Sequence, residues 1–175
     1  MRCGRFLFLR VLGSMFLICL ASSLAHAAGP KAIGTFKGWT ALLLVENKAR
    51  TCYLHSVPQK SQGRYTKRGP TYVQVTHRDP AGVRNEVSVT AGYTYRKGGR
   101  VTIDIDGKKF SLFTQGDTAW SSDKKTDNSL VAAMRAGRDM MVRGTSSRGT
   151  LTTDRYSLSG FTAAHRAINK ACGVK

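Results

Sequence analysis

Hydrophobic and polar residues alternate along most of the chain beyond residue 38, and glycines interrupt the alternation at intervals. A period of two is typical of β-strands that bury one face and expose the other. The longest alternating stretch covers residues 83–95. We expect it to bend or bulge at Ala91-Gly92, because few strands of that length stay regular. In the first half of the chain the pattern predicts strands over residues 39–46, 51–57, 71–77 and 83–95.

Residues 101–113 predict a β-hairpin with a defined register. Asp106-Gly107 is a favoured two-residue turn, because glycine adopts positive φ at low cost. One register then pairs apolar residues on one face and polar residues on the other, so both faces support it. The predicted pairs are Ile103 with Phe110, Val101 with Leu112, Asp104 with Lys109, and Thr102 with Ser111.

The second half of the chain predicts two helices and a further pair of strands. The first helix begins at Asp127 or Asn128, runs to Arg135 and is closed by Gly137. The second helix covers residues 161–171, with one apolar face and Gly173 after its end. The strand pair covers residues 139–144 and 151–158, joined by residues 144–149.

The segment 59–70 (QKSQGRYTKRGP) is polar and basic, and it carries few apolar residues. Such composition predicts a loop, and we expect this loop to be the most mobile part of the domain.

Residues 1–27 have the pattern of a cleavable export signal. Three arginines precede an apolar run over residues 11–24, and small residues then lead to a predicted cleavage between Ala27 and Ala28. The apolar run is short for a membrane span, which takes about 20 residues, so a retained anchor is the less favoured alternative. We therefore expect one domain over residues 28–175, located outside the cytoplasm.

The chain is strongly basic, with 28 Lys+Arg against 10 Asp+Glu and a net charge of +18. The first 27 residues hold three arginines and no acidic residue, which leaves +15 for the expected mature domain. Such a domain should be attracted to lipopolysaccharide or other anionic surfaces, less so as salt rises, and be peripheral to a membrane at most. Nucleic acid is not the expected partner, because export separates the protein from the nucleic acids of the cell and no nucleic-acid recognition motif is present. The densest basic cluster is Lys60, Arg64, Lys67 and Arg68.

Two cysteines remain after the expected cleavage, Cys52 and Cys172. In an oxidising compartment they predict one disulfide bond, which would tie the C-terminal helix to an early strand. The alternative is a pair of free or redox-active thiols, which is less favoured because there is no CxxC motif.

Catalytic signals are weak, so we expect no catalytic residue, no metal site and no cofactor. The histidines at 55, 77 and 165 lack metal-ligand spacing, and His165 is interpreted as a surface or packing residue. The segment GTSSRG fails the glycine spacing of a nucleophile elbow. Trp39 and Trp120 are interpreted as core anchors, with exposed ligand platforms as the alternative.

An anion is the ligand that the charge favours most. Backbone N–H groups of residues 144–149, between two arginines, could hold one, although an ordinary β-turn explains the same segment. The candidate anion-binding residues are Lys67, Arg68, Arg143 and Arg148.

Several long stretches resemble the invasion-associated locus B family of exported Gram-negative proteins. They cover nearly all of the expected mature chain in order, and the resemblance implies a β-sandwich of immunoglobulin-like architecture. It also implies a periplasmic, outer-membrane-associated or secreted location, with a link to host-cell invasion in some pathogens. The matching stretches are CYLHSVP (52–58), AGYTYRKGG (91–99), IDGKKFSLFTQGDTAW (105–120) and MMVRGTSSRGTLTTDRYSLSGFTAA (140–164).

We therefore expect a non-enzymatic cell-envelope protein that binds an anionic envelope or host component, or a protein partner. The alternative is a periplasmic hydrolase or chaperone-like factor whose site has no recognisable motif. The sequence gives no indication of the oligomeric state.

Overall fold

A computed structural model describes residues 29–79 and 81–174, so the predicted export signal and its cleavage between Ala27 and Ala28 lie outside the described residues. Strands dominate the described chain, and two helices accompany them. The strands are β1 (Lys31–Phe36), β2 (Trp39–Glu46), β3 (Ala49–Ser56), β4 (Lys60–Gly63), β5 (Tyr72–Asp79), β6 (Val83–Thr90), β7 (Arg100–Ile105), β8 (Lys108–Gln115), β9 (Thr118–Trp120), β10 (Asp139–Thr145) and β11 (Leu151–Ser157). The helices are α1 (Lys124–Ala136) and α2 (Phe161–Cys172).

The described strands form one antiparallel sheet in the order β1-β2-β3-β5-β6-β9-β8-β7-β10-β11-β4. Side chains alternate across it, so that one face of each central strand is buried in a single hydrophobic core. The sheet folds over until strands from its two ends meet, and the indole Nε1 of Trp39 on β2 donates to the carbonyl of Ser157 on β11 at 2.9 Å. This mainly β fold confirms the prediction and is consistent with a β-sandwich.

The hairpin of residues 101–113 has the predicted register. β7 and β8 pair Ile103 with Phe110 and Asp104 with Lys109, as both faces require. The turn adopts positive φ at Asp106 and Gly107, and the Asp104 carboxylate accepts from the Gly107 N–H at 2.9 Å.

Three strand predictions need correction. The segment 59–70 is not wholly a loop, because β4 lies within it and pairs with β11, which supplies the hydrogen bonds that its polar sequence does not suggest. The predicted strand 83–95 ends at Thr90. Its irregularity lies at Asn85 rather than at Ala91-Gly92, because the pairing with β5 shifts register there and Asn85 adopts a left-handed φ of 58°. Two strands were not predicted at all, the edge strand β1 and the three-residue β9.

Both predicted helices are present, and the start of the first differs. α1 begins at Lys124 because Asp123 is its N-cap, with a carboxylate oxygen accepting from the Thr126 N–H at 2.8 Å. Asp127 was predicted as a cap but lies inside the first turn, where it accepts from the Val87 N–H of β6 at 2.9 Å. The predicted Gly137 closes this helix.

The C-terminal helix α2 packs its apolar face on the inner side of β2 and β3. The Phe161 ring meets the buried Trp39 ring edge-on, with centroids 5.0 Å apart. At the other end of the helix, Cys172 is bonded to Cys52 of β3, which confirms the predicted disulfide. Trp39 is therefore the core anchor that was predicted, whereas Trp120 is only half-buried on the opposite face of the sheet, and that prediction is wrong.

Candidate functional site

A basic cleft lies where the chain following β4 passes the turn between β10 and β11. The pairing of Gly63 with Thr152 brings these two segments together, although they are far apart in sequence. The cleft has a volume of about 510 Å³. Its lining includes the cations Arg64, Lys67 and Arg148 and, among the described residues, no carboxylate.

The three cations are exposed, and none of them forms a salt bridge with a carboxylate in the described part of the chain. Their charges are therefore available to a ligand. Because they approach from two segments, an anion in the cleft would be contacted from both sides.

The turn between β10 and β11 is held by its own hydrogen bonds. The Ser146 N–H donates to the Thr150 carbonyl at 2.9 Å, and the Thr150 N–H donates to the Ser146 hydroxyl at 3.1 Å. The Ser147 and Gly149 N–H groups donate to the carbonyls of Thr94 and Ser146. These N–H groups are already satisfied, so side chains rather than a backbone nest face a ligand here.

Hydroxyl groups form the floor of the cleft. The phenol of Tyr93 lies 2.7 Å from the hydroxyl of Thr152. Burial raises the pKa of Tyr93, so the phenol stays neutral at ordinary pH and does not repel an anion. Ser147 adds an exposed hydroxyl at the rim.

Arg68 lies below this floor and has a structural partner. Its guanidinium forms two hydrogen bonds with the Asp154 carboxylate, at 2.7 and 2.6 Å, and packs on the Tyr93 ring. Burial by itself would lower the pKa of Arg68, but the hydrogen bonds and charge of Asp154 outweigh that effect and raise it. The side chains are only 6% and 3% exposed, so the guanidinium is occupied by the protein itself.

The structure thus brings together only part of the predicted anion-binding set. Lys67 and Arg148 line the cleft, Arg68 supports it from below, and Arg143 lies outside it, half-buried on β10 beside Met141. Arg64 joins the lining but was recognised only as part of the densest basic cluster. The signal that could have singled it out is the pairing of β4 with β11, which the polar sequence of β4 conceals.

The histidines do not form a catalytic arrangement in the described residues. His77 and His165 are buried, and their hydrogen-bonding side-chain partners are Asn169 and Asn85. His165 is therefore a packing residue, one of the two roles expected of it. His55 lies on the opposite face of the sheet between Tyr53 and Tyr72.

Within residues 29–79 and 81–174, no group of three or more His, Cys, Asp or Glu side chains could hold a metal ion. Neither of the two helices is long and apolar enough to cross a membrane.

The family model described as "Invasion associated locus B (IalB) protein" matches residues 39–169, which is more than half of the chain. The match runs from β2 to within the last helix and includes both segments that line the cleft. No curated protein and no solved structure matches the chain.

Proposed function

The chain belongs to the invasion-associated locus B family, and on that premise we propose that it is an exported cell-envelope protein of a Gram-negative bacterium that binds an anionic component through the basic cleft. The proposed location is the periplasm or the outer membrane, or the exterior after secretion. The proposed ligand is an envelope or host component that carries phosphate or carboxylate groups. We also propose that the protein assists host-cell invasion.

The observation that carries the proposal is the unbalanced charge of the cleft. Arg64, Lys67 and Arg148 converge there without a carboxylate in the described lining. Charge-assisted hydrogen bonds from such groups are about twice as strong as neutral ones. The net charge of +15 that remains without residues 1–27 also attracts anions toward the surface before any specific contact forms.

Export is supported by two independent features. The first 27 residues have the charge and hydrophobicity pattern of a cleavable signal. The Cys52–Cys172 disulfide is the second, because such bonds form and persist mainly in oxidising compartments.

A non-enzymatic role is supported by the chemistry of the cleft. Its lining holds cations, hydroxyls and a phenol, but no histidine and no carboxylate that could act as a general base at neutral pH. The family is not known as an enzyme family. No arrangement in the described residues favours the alternative of a hydrolase.

Binding to immobilised lipopolysaccharide, with dephosphorylated lipopolysaccharide as the matched ligand, tests the proposal. We expect affinity for the phosphorylated form to fall steeply with salt, because exposed charges are screened. The variant Arg64→Glu/Arg148→Glu should lose about tenfold or more in affinity, the equivalent of roughly 1.4 kcal/mol.

A variant with the same net charge supplies the control. Lys125→Glu/Arg166→Glu changes two exposed residues on α1 and α2, outside the cleft lining, and should change affinity by less than about threefold. Equal losses in the two variants would show that total charge, not the cleft, determines binding. Equal binding of phosphorylated and dephosphorylated ligand would overturn the anionic specificity.

A further inference from the structure

A second cleft adjoins the basic cleft and shares Arg64 and Arg148 with it. Its volume is about 650 Å³, and its lining consists of Gly63, the two arginines and residues 149–151. Thr150 also lines both clefts, so the two share one wall. Like the basic cleft, the second cleft has no carboxylate in its described lining.

The two clefts lie toward opposite faces of β11. Successive side chains of a strand point to opposite faces. Thr152, which lines the basic cleft, is buried, whereas Leu151, which lines the second cleft, is 59% exposed. The shared Arg64 and Arg148 therefore lie between an inner and an outer cleft, and a ligand that contacts both clefts must pass over them.

The outer surface beyond the second cleft continues to Arg143 of β10. Leu151 pairs with Thr145, and the next pair on the same face is Thr153 with Arg143. Two residues of a strand span about 6.6 Å, so a chain that leaves the second cleft along this face reaches Arg143 next.

Arg143 is not neutralised by the neighbouring carboxylates. It forms no salt bridge in the part of the chain that the structure describes. Asp104 on the adjacent β7 accepts from a backbone N–H of its own hairpin turn, and Asp139 is paired with Arg155. The charge of Arg143 is therefore available to a ligand.

Arg96 adds a further cation at the second cleft. Its side chain is exposed and forms no salt bridge within the described residues. A Cβ atom placed on Gly149 of the lining would lie 3.4 Å from Nη2 of Arg96. Cations thus follow one another from the inner to the outer side. We name this series the cation track, and it consists of Lys67, Arg64, Arg148, Arg96 and Arg143.

Each cleft also presents an exposed apolar side chain beside its cations. Tyr65 in the basic cleft is 37% exposed, and Leu151 in the second cleft is 59% exposed. The shared Thr150 adds a hydroxyl between them. A ligand that fits this surface carries negative groups in series together with apolar faces and hydroxyls.

We propose that the anionic ligand is an acidic polysaccharide chain that enters the basic cleft, crosses Arg64 and Arg148 and continues toward Arg143. This inference rests on the proposed function and names the ligand class of the same site. Sulfates or carboxylates on successive sugars would lie along the cation track. The C–H faces of the sugar rings would pack on Tyr65 and Leu151, and their hydroxyls can bond to Thr150.

Other polyanions fit this surface less well. Inorganic polyphosphate carries the charge but has no apolar face for Tyr65 and Leu151. Duplex DNA has a persistence length of about 50 nm, so it is too stiff to turn from one face of β11 to the other. A compact anion would reach only one of the two clefts.

Titration calorimetry with the full mature protein tests the inference, using a disaccharide and an octasaccharide derived from heparin. The octasaccharide should bind at least about thirtyfold more tightly, because contact with the second cleft becomes intramolecular once the first is occupied. Polyphosphate of the same charge should bind more weakly than the octasaccharide. An octagalacturonate, which carries carboxylates only, distinguishes a carboxylated from a sulfated source, and tight binding of either chain supports the inference.

The variant Arg96→Gln/Arg143→Gln isolates the outer part of the cation track. It should weaken octasaccharide binding about tenfold and change disaccharide binding less than twofold, because the basic cleft is unaltered. Arg96→Gln alone changes an exposed side chain and should weaken octasaccharide binding about threefold. Lys125→Gln/Arg166→Gln removes the same charge from exposed positions outside both clefts and should have less effect than either.

Three results would overturn the polysaccharide chain as ligand. They are equal affinities for the disaccharide and the octasaccharide, equal losses in the two double variants, and polyphosphate binding as tight as that of the octasaccharide. The proposed function is judged separately, by lipopolysaccharide binding that Arg64→Glu/Arg148→Glu weakens. If that binding persists, the basic cleft keeps its anionic ligand although the chain is rejected; if it is absent as well, both proposals fail.

Discussion

At the scale of single residues, the Arg68–Asp154 pair supports the basic cleft from within the protein. Both side chains are almost fully buried and are joined by two hydrogen bonds. Arg68→Ala would leave the Asp154 carboxylate buried without its partner. We expect the free energy of unfolding to fall by about 3–5 kcal/mol, the usual cost of an isolated buried charge.

Urea unfolding of the two variants Arg68→Ala and Arg148→Ala measures this effect. Arg148 is an exposed arginine in the same cleft, so its replacement should change stability by no more than about 0.5 kcal/mol. Replacing both partners, as Arg68→Met/Asp154→Leu, should cost less than Arg68→Ala because no charge remains buried. Equal midpoints for Arg68→Ala and Arg148→Ala would contradict the interpretation.

This pair also shows why the candidate site could be predicted only in part. Lys67 and Arg68 are adjacent in sequence and equally basic, yet one faces the cleft and the other is buried. What separates them is Asp154, 86 positions away, and a local pattern carries no information on that contact. The sequence could therefore indicate a basic region but not which of its charges a ligand can reach.

At the scale of elements, helix α2 is attached to β5 and β6 by a buried polar cluster. The Asn85 N–H donates to His77 Nδ1 at 3.0 Å, so Nε2 of this ring carries the proton and donates to Asn169 of α2. His165 of α2 lies 2.8 Å from the Asn85 side chain. Both rings thus fit the cluster in their neutral form.

Acid should weaken this attachment. Burial lowers the pKa of His165 to about 4, and the charges that add to the effect are those of His77 and of Arg135 on α1. Burial lowers the pKa of His77 too, and Arg84 of β6 acts in the same direction. Below about pH 6.5 the unfolded chain binds protons that the folded chain does not, so stability is complete above that pH and is lost as the pH falls toward 4.

Unfolding in urea at several pH values between 7 and 4 measures the effect. His165→Gln keeps a donor for Asn85 but cannot titrate, so its stability should depend less on pH. The difference in slope should approach about 1.4 kcal/mol per pH unit, the value for one proton. Parallel curves for parent and variant would show that His165 takes no part.

The elements that the sequence predicts well are those whose signals are local. The hairpin of β7 and β8 has a strong turn at Asp106-Gly107 and two faces that agree on one register. By contrast, β4 has the sequence KSQG and is a strand only because β11 offers it a ladder of partners. The start of α1 differs, because its cap is local: the Asp123 carboxylate accepts from the Thr126 N–H, but the two lysines that follow Asp123 do not suggest a helix start.

At the scale of the whole molecule, the inner faces of both halves of the sheet share one core. Residues from β2 and β3 belong to the same buried cluster as residues from β10 and β11. Pairings between elements far apart in sequence therefore determine the shape, and only the family resemblance, not the periodicity, could indicate how the sheet is arranged.

The Cys52–Cys172 bond closes this architecture, and its contribution should be large. It joins positions 120 residues apart, and a cross-link over so long a loop restricts the unfolded chain strongly. In the chain-entropy account the effect is about 4–5 kcal/mol. We expect Cys52→Ala/Cys172→Ala to lose about that much stability in urea while keeping the fold, because Phe161 and Ile168 still bury α2 against the sheet.

The parent protein treated with a reductant is the appropriate comparison, since it lacks the bond but keeps both sulfurs. If the bond acts mainly on the unfolded chain, the reduced parent and the double variant should unfold at similar urea concentrations, and both should retain the far-ultraviolet circular dichroism of the oxidised protein. A double variant that loses this signal without denaturant would show instead that the bond is required to hold α2 in place. An unchanged urea midpoint would show that the core alone carries the stability, and that the bond serves a purpose other than stability.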